Sequence, residues 1–223
     1  MSILVIIPAA GSGTRIGGDV PKQFRPLFGG RTILRFVIDR FLGFPDVTRI
    51  VVPVSTEWLS RMQQELTGDR VQVVAGGETR QESVRRGLLA AEGSEFDVVA
   101  VHDAVRPFVS VDLFNAVIEA AHQDGAALPA VPVTDTIHGV HNGTIAATLD
   151  RRDLVAAQTP QCFRPQLLRE VLERAAAEGV KGTDEAGLAA RYGFTVRVVA
   201  GDPGNFKITR PEDLELAQSR WSS

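Results

Sequence analysis

The sequence has a single cysteine, Cys162, among its 223 residues, so an internal disulfide is excluded. Chains of reducing compartments commonly lack disulfides, and we therefore predict a cytoplasmic location. No base that would activate a thiolate is adjacent to Cys162, so we interpret it as a packing residue. The sequence also has no run of about 18 apolar residues, and we predict neither a membrane-spanning segment nor a membrane partner.

An excess of positive charge is also missing. The chain has 24 Lys and Arg against 27 Asp and Glu, a formal net charge of -3. Proteins that hold DNA or RNA by neutralising phosphates carry a basic excess, so we expect no nucleic-acid polymer as a partner. A small nucleotide needs only a locally basic pocket. The length suits one domain, residues 1–223, and the hydrophobic share of 44% is ordinary for a globular protein.

Two familiar nucleotide-binding patterns are absent. The P-loop pattern G-x-x-x-x-G-K-[ST] does not occur. The dinucleotide pattern G-x-G-x-x-G begins at Gly11 and Gly13, but Ile16 stands where the third glycine is needed. The sequence therefore argues against a P-loop NTPase and against a dehydrogenase.

Short apolar runs rich in β-branched residues alternate with segments of helical period. This alternation predicts an α/β fold with a Rossmann-like, mostly parallel central sheet flanked by helices. Thr79 and Thr209 each precede a glutamate by three residues, the capping-box spacing, and Thr183 is a candidate N-cap. The predicted strands are 3–7, 49–54, 71–74, 97–101, 127–131 and 195–199. The predicted helices are 32–42, 57–66, 79–91, 111–122, 165–178, 183–192 and 210–221.

One stretch, at about 132–160, breaks the alternation. It contains Asn142-Gly143, a strong hairpin signal, between extended segments at 134–140 and 144–149. A hairpin alone is only marginally stable in water. We therefore expect a projecting β arm that packs on another subunit and makes the protein a homodimer.

The first predicted strand leads into a loop of small residues, which let backbone N–H groups approach an anion closely. Arg15 and Lys22 follow within reach. Fixed cations stabilise the negative charge that gathers at phosphorus during nucleotidyl transfer, so we predict a phosphate site rather than a plain strand–turn–helix connection. The candidate nucleotide-binding residues of this loop are Pro8, Ala9, Ala10, Gly11, Ser12 and Gly13.

Two further segments carry candidate site residues. The loop 76–83 joins a strand to a helix, where Gly76 and Ser83 could close over a base or ribose; an ordinary connection is the alternative.

Asp103 and Arg106 follow the strand 97–101, at the edge of a parallel sheet where ligands gather. A carboxylate in a phosphate site is explained by Mg²⁺, which prefers oxygen ligands, and Arg106 could hold a second anionic substrate. The neighbouring His102 lacks a second ligand, and we assign it no role.

In this order and spacing, the motifs resemble the 2-C-methyl-D-erythritol 4-phosphate cytidylyltransferase family over nearly the whole chain. The resemblance implies a mixed central sheet of the nucleotide-diphospho-sugar transferase type, a projecting β arm and a homodimer. It also implies transfer of CMP from CTP to methylerythritol phosphate, with Mg²⁺ as cofactor, on the non-mevalonate route to isoprenoids. The matching segments are PAAGSGTR (8–15), PKQF (21–24), GGETRQESV (76–84), VHDAVRP (101–107), DT (135–136), LDR (149–151), QTPQ (158–161), TDEA (183–186) and FKITRPEDL (206–214).

The resemblance further implies roles for single residues. Arg15 and Lys22 would stabilise the transition state, and Asp103 would lie by the metal and the substrate. The loop 9–13, with Gly76 and Ser83, would surround CTP. The residues implied for methylerythritol phosphate are Asp103, Arg106, Thr136, Arg151, Thr183 and Lys207, with Thr136 and Arg151 reaching the active site of the partner subunit.

Two alternatives stay open from the sequence. Ribitol-5-phosphate cytidylyltransferases share the PKQF, HDAVRP and TPQ elements. Val105 also favours them, because the methylerythritol phosphate family commonly has alanine at this position. They typically open with L-A-G-G, however, where this chain has Pro8-Ala9-Ala10-Gly11, and they differ around Leu149-Asp150-Arg151. A nucleotide-sensing regulatory domain would keep the glycine loop but would need neither Lys22 nor Asp103.

Overall fold

The computed structural model describes residues 1–11, 20–66 and 68–220. The mostly parallel central sheet predicted from the sequence is confirmed. Strand β1 (Ile3–Ile6) lies in its middle and pairs in parallel with β4 (Val47–Val54) and β6 (Val98–Val101). Strand β5 (Val71–Ala75) continues the parallel part beside β4.

The other side of the sheet is mixed. Strand β7 (Ala126–Pro132) pairs in parallel with β12 (Arg197–Ala200) and antiparallel with β10 (Val155–Ala157) and β11 (Gln161–Phe163). Strand β11 connects the two parts of the sheet, because it also pairs antiparallel with β6. The sequence pattern predicts neither β10 nor β11, since three residues are too few to show a period.

Helices cover both faces of the sheet. The side chains of Leu4 and Ile6 pack on one face and that of Val5 on the other, and all three are fully buried, which explains the continuous apolar run. Cys162 is buried in β11, where burial raises the pKa of its thiol, in agreement with a packing role. The helices are α1 (Ile33–Leu42), α2 (Thr56–Glu65), α3 (Arg80–Leu89), α4 (Val111–Asp124), α5 (Pro165–Glu178), α6 (Glu185–Arg191) and α7 (Pro211–Ser219).

A small third cluster ties the C-terminal segment to the carboxyl end of β6. Ile208 is fully buried beside Val105 and Leu27, and its backbone N–H donates to the Val105 carbonyl at 2.9 Å. Leu27 belongs to a short hairpin that the sequence did not predict, formed by β2 (Pro26–Phe28) and β3 (Arg31–Thr32). This packing brings Lys207 next to the Asp103 segment.

The predicted caps are right at one helix and displaced at two. Thr79 accepts a hydrogen bond from the Glu82 N–H at the start of α3. At α6 the cap is Asp184, which accepts from the Gly187 N–H at 2.9 Å, so the prediction of Thr183 is wrong by one residue. At α7 the backbone N–H of Thr209 donates to Asp213 rather than to the glutamate before it.

The predicted hairpin of the arm is present. Strands β8 (Ile137–His141) and β9 (Thr144–Leu149) pair antiparallel, and Asn142 and Gly143 between them have positive φ angles of 49° and 76°. Val140 and Ile145 on this hairpin are 63% and 60% exposed. Of the helices in the described ranges, none is long and apolar enough to cross a membrane.

Candidate active site

A cavity of about 310 Å³ opens at the carboxyl ends of β1 and β6, where ligands gather in parallel sheets. Four parts of the chain build its wall: the loop after β1, the turn around Lys22, the loop before α3, and the segment after β6 with Lys207. The cavity lies at the edge of the sheet where the sequence analysis places its candidate site residues, and the binding of a ligand there stays a prediction. The described lining residues are Pro8, Ala9, Ala10, Gly11, Lys22, Gln23, Gly77, Glu78, Thr79, Arg80, Ser83, Asp103, Ala104, Val105 and Lys207.

The loop after β1 is held in shape by Gln23, which the sequence analysis did not single out. The carboxamide nitrogen of Gln23 donates to the carbonyls of Ala9 and Gly11 at 2.7 and 2.8 Å. In a planar trans peptide the Ala10 N–H points opposite to the Ala9 carbonyl, and therefore away from Gln23. Ser12, Gly13 and Arg15, three predicted site residues, lie outside the described part of the chain.

Lys22 begins a short 3-10 turn, Lys22–Phe24, that is almost fully buried. Its ammonium donates to the Ile208 carbonyl at 3.2 Å. Phe24 stacks on Trp58 of α2 with ring centroids 4.5 Å apart, which anchors the turn from behind. Lys22 is therefore a fixed cation in the cavity wall, as predicted.

Gly76 supports the loop after β1 and is not among the described residues that line the cavity. A β-carbon at this position would lie 2.6 Å from the β-carbon of Ala10 and 3.2 Å from the Val54 carbonyl oxygen. The hydroxyl of Ser83 accepts from the Gly77 N–H at 3.1 Å and donates to the Thr79 carbonyl at 2.9 Å. Gly76 and Ser83 thus fix the shape of the two loops that face each other here.

Replacing Gly76 by alanine should raise the Kd of CTP by on the order of tenfold to a hundredfold, because the added methyl displaces the loop at Ala10. Equilibrium binding of a non-hydrolysable CTP analogue measures this. The matched control is Gly68→Ala, where a β-carbon would meet only Val71, at 3.9 Å. An unchanged Kd in the Gly76 variant would show that the loop at Ala10 takes no part in CTP binding.

Asp103 lies among three cations. Its Oδ2 is 2.9 Å from the Lys207 ammonium and 3.4 Å from Nε of Arg106, and its Oδ1 is 3.5 Å from Nε of Arg80. Burial alone would raise the pKa of Asp103, but Lys207, Arg80 and Arg106 outweigh burial and hold the pKa well below its usual range. The carboxylate is therefore ionised at neutral pH, and the three side-chain cations around it exceed its single negative charge.

Arg106 and His102 form the layer behind Asp103. The Arg106 side chain is nearly buried and donates through Nη1 to the Asn205 carbonyl at 2.7 Å. The His102 ring contacts the Arg106 carbonyl at 2.9 Å and the Thr159 hydroxyl at 3.2 Å. Burial lowers the pKa of His102 to about 4, so its ring is neutral at pH 7. This agrees with the interpretation of His102 as structural. Arg106 contacts Asp103 but is not among the described lining residues of the cavity, and its predicted role toward a second substrate stays a prediction.

Three further predicted site residues, Thr136, Arg151 and Thr183, are not among the described residues that line the cavity. Thr136 and Arg151 belong to the arm, and both are exposed. The Arg151 guanidinium donates to the Thr134 carbonyl. Thr183 is exposed just before α6. The predicted roles of these three residues toward a substrate stay predictions.

An ion pair in the cavity wall was missed by sequence reasoning. Nη1 of Arg80 donates to both carboxylate oxygens of Glu185 at 2.8 and 2.6 Å, and the Glu185 side chain is 1% exposed. Both residues stand in motifs that the resemblance covers, TR and DEA. Nothing in one sequence, however, links two positions that are 105 residues apart.

The site fits Mg²⁺ only as an ion shared with phosphates. Within the described residues there is no group of three His, Cys, Asp or Glu side chains that could hold a metal alone. Asp103 and Glu78 are the carboxylates among the described lining residues. Mg²⁺ in nucleotide sites commonly uses one or two carboxylates together with substrate phosphates and water. The donor set therefore suits the predicted cofactor, and Asp103 as its ligand stays a prediction.

The sheet, the loop of small residues and the cluster of cations define a nucleotidyltransferase. The model of the family IspD, 2-C-methyl-D-erythritol 4-phosphate cytidylyltransferase, matches residues 3–222. The chain therefore belongs to this family, which decides against a nucleotide-sensing domain and a dehydrogenase.

Curated relatives match nearly the whole chain. The 2-C-methyl-D-erythritol 4-phosphate cytidylyltransferase of Solibacter usitatus is 44% identical, across 97% of this chain and 94% of its own length. That of Acidobacterium capsulatum is 43% identical, across 97% of this chain and 96% of its own. Among solved structures, the Francisella tularensis enzyme superposes with a TM-score of 0.87 and 33% identity and covers 100% of both chains. The resemblance stated from the motifs is confirmed.

Proposed function

We propose that this chain transfers CMP from CTP to 2-C-methyl-D-erythritol 4-phosphate, giving 4-diphosphocytidyl-2-C-methyl-D-erythritol and pyrophosphate in isoprenoid biosynthesis. The observation that carries the proposal is one cavity with two kinds of anion-binding wall. The loop after β1 with Lys22 suits a triphosphate, and the cation cluster around Asp103 suits a second anion. Membership of the family supplies the identity of both substrates.

In the reaction, a phosphate oxygen of methylerythritol phosphate forms a bond to the α-phosphorus of CTP, and the bond from that phosphorus to pyrophosphate breaks. The attacking phosphate is already a nucleophile at neutral pH, so no general base is needed. The neutral, enclosed His102 is consistent with this. The task of the protein is to hold two anions together against their repulsion and to stabilise the added charge at phosphorus.

The residues of the chain divide this task. Lys22, fixed by its turn, faces the triphosphate side, and Arg15 is expected to join it on sequence grounds. Lys207 and Arg106 balance the second phosphate, and Asp103 keeps these cations in place. Mg²⁺, with Asp103 as its protein ligand, would neutralise part of the triphosphate charge.

A homodimer in the cytoplasm completes the proposal. The exposed apolar residues Val140, Ile145 and Leu149 of the arm, and the exposed Thr136 and Arg151, are explained if the arm covers the active site of a second copy. The buried thiol of Cys162 suits a reducing compartment.

Pyrophosphate release with CTP and Mg²⁺ tests the proposal. We expect release with methylerythritol phosphate and little with ribitol 5-phosphate, with UTP in place of CTP, or without an acceptor. Faster release with ribitol 5-phosphate than with methylerythritol phosphate would show that ribitol 5-phosphate is the acceptor. No release with any phosphate acceptor would contradict the proposed activity.

Replacing Arg151 by alanine should raise the KM of methylerythritol phosphate and leave the Kd of CTP unchanged, since Arg151 is predicted to reach the neighbouring site. Mixing this variant with Lys22→Ala after subunit exchange should restore about a quarter of the wild-type activity, because half of the dimers are then hybrids with one intact site. Exchange is confirmed by mass spectrometry. Confirmed exchange without restored activity would mean that each subunit is self-sufficient.

A further inference from the structure

A buried ion pair joins the nucleotide side of the cavity to the helix behind it. Arg80 is the first residue of α3, directly after the loop that holds Thr79 and Gly77, and Glu185 is the first residue of α6. Nη1 of Arg80 contacts both oxygens of Glu185, at 2.8 and 2.6 Å. The Glu185 side chain is 1% exposed, whereas that of Arg80 is 29% exposed and lines the cavity.

The start of α6 is held in place around this pair. The side chain of Gln161 accepts from the Ala186 N–H at 3.0 Å and donates to the Asp184 carboxylate at 2.7 Å. Glu185 therefore enters the interior from a rigid backbone. A buried charge needs a partner, but an apolar pair of similar volume is often as stabilising as a buried ion pair. Stability alone thus gives no reason for an arginine at this position.

The other end of the guanidinium supplies a reason. Nε of Arg80 lies 3.5 Å from Oδ1 of Asp103, while Lys207 and Arg106 contact Oδ2. The Asp103 carboxylate is thereby held between cations on both of its oxygens. Without Arg80, the carboxylate would be free to turn toward the other two cations, and the Lys207 ammonium would move with it.

We propose that Arg80, held by Glu185, is a positioning residue. It orients the Asp103 carboxylate and, through it, the Lys207 ammonium, so that Lys207 holds the acceptor phosphate in place for its attack on the α-phosphorus. The proposal deepens the proposed function and depends on it. Arg80 acts through Asp103, and Glu185 acts only through Arg80. The pair therefore serves the geometry of the reaction in addition to the stability of the fold.

The test compares single and paired replacements. Arg80→Met leaves Glu185 buried without a partner and should lower Tm, whereas Arg80→Met with Glu185→Met removes both charges and should restore Tm to near the wild-type value. We expect kcat of the paired variant to stay lower by on the order of 100-fold, because a misplaced reacting group costs about this much. The KM of CTP should change less than about threefold, because the Gln23 contacts that shape the loop after β1 and the Ser83 contacts that shape the loop before α3 involve neither side chain.

A matched control keeps the interpretation specific. Arg169 and Glu92 form an exposed ion pair in which Nη1 of Arg169 lies 2.5 Å from Oε1 of Glu92. Both residues line a different cavity from the active site. Replacing both by methionine should leave kcat, KM and Tm unchanged. A paired Arg80 and Glu185 variant with normal Tm and with kcat within threefold of wild type would overturn the proposal, since the pair would then be structural only.

A crystal structure of the paired variant gives a readout independent of turnover. We expect the Asp103 carboxylate to be rotated and its contact with Lys207 altered, and an unchanged Asp103–Lys207 contact would overturn the proposal. A wild-type chain without CMP transfer would instead contradict the proposed function, and the crystallographic comparison would still decide whether Arg80 orients Asp103.

Discussion

Replacing Lys22 by alanine should lower kcat for CMP transfer by on the order of 100- to 1,000-fold, or about 3 kcal/mol in the barrier, while the Kd of CTP changes much less. The reason is that negative charge develops at the α-phosphorus in the transition state, near the fixed Lys22 ammonium. Lys22 is 9% exposed, its turn is anchored by the Phe24–Trp58 stack, and its ammonium is fixed near the Ile208 carbonyl. A fixed cation gains most from negative charge that appears only in the transition state.

Steady-state kinetics and equilibrium binding of a non-hydrolysable CTP analogue separate the two effects. Lys181→Ala, which removes an exposed lysine outside the described cavity lining, is the matched control and should leave both values unchanged. Equal losses in kcat and in CTP affinity would mean that Lys22 only anchors ground-state CTP.

The fold could be predicted wherever the chain repeats a simple pattern. The strands in the middle of the sheet are apolar on both faces, so β1, β4 and β6 are readable from composition alone. The antiparallel strands β10 and β11 are not, because a three-residue strand is defined by its neighbours rather than by its own sequence. The helix caps are also hard to predict from local sequence. Thr183 and Asp184 are both good capping residues, and α6 uses Asp184.

The site could be predicted at its separate points but not in its connections. The loop after β1, Lys22 and Asp103 follow from the ends of predicted strands and from charge. The contact of Lys207 with Asp103 depends on the packing of Ile208 in the third cluster, which no local pattern encodes. Arg80 and Glu185 have the same difficulty, since their partners lie far away in sequence.

Replacing Asp103 by asparagine should have the second large effect, a loss of CMP transfer on the order of 100-fold or more. It should also lower the free energy of unfolding by about 3 kcal/mol at neutral pH, because it removes the carboxylate that compensates the charges of Lys207 and Arg106, whereas Arg80 keeps Glu185 as a partner. Asp103 is 8% exposed, and Lys207, Arg80 and Arg106 would then face one another across a neutral amide.

The pH dependence of this stability loss tests the electrostatic explanation. The folded-state pKa of Asp103 lies below its unfolded value of about 3.9, so the ionised carboxylate stabilises the fold fully above that pH. The contribution is lost as the pH falls from there through the folded-state pKa. Urea unfolding should therefore give a constant difference between wild type and Asp103→Asn from about pH 8 to pH 5, and a shrinking difference below about pH 4.

Asp69→Asn, at an exposed position, is the control for this series and should follow wild type throughout. A difference that persists unchanged to about pH 2.5 would show that asparagine destabilises the site by its shape or its hydrogen bonds rather than by its missing charge. In that case the three cations would be held apart by the surrounding backbone, for example by the Asn205 carbonyl at Arg106. Asp103 would then owe its effect on CMP transfer to contact with the substrate or the metal alone.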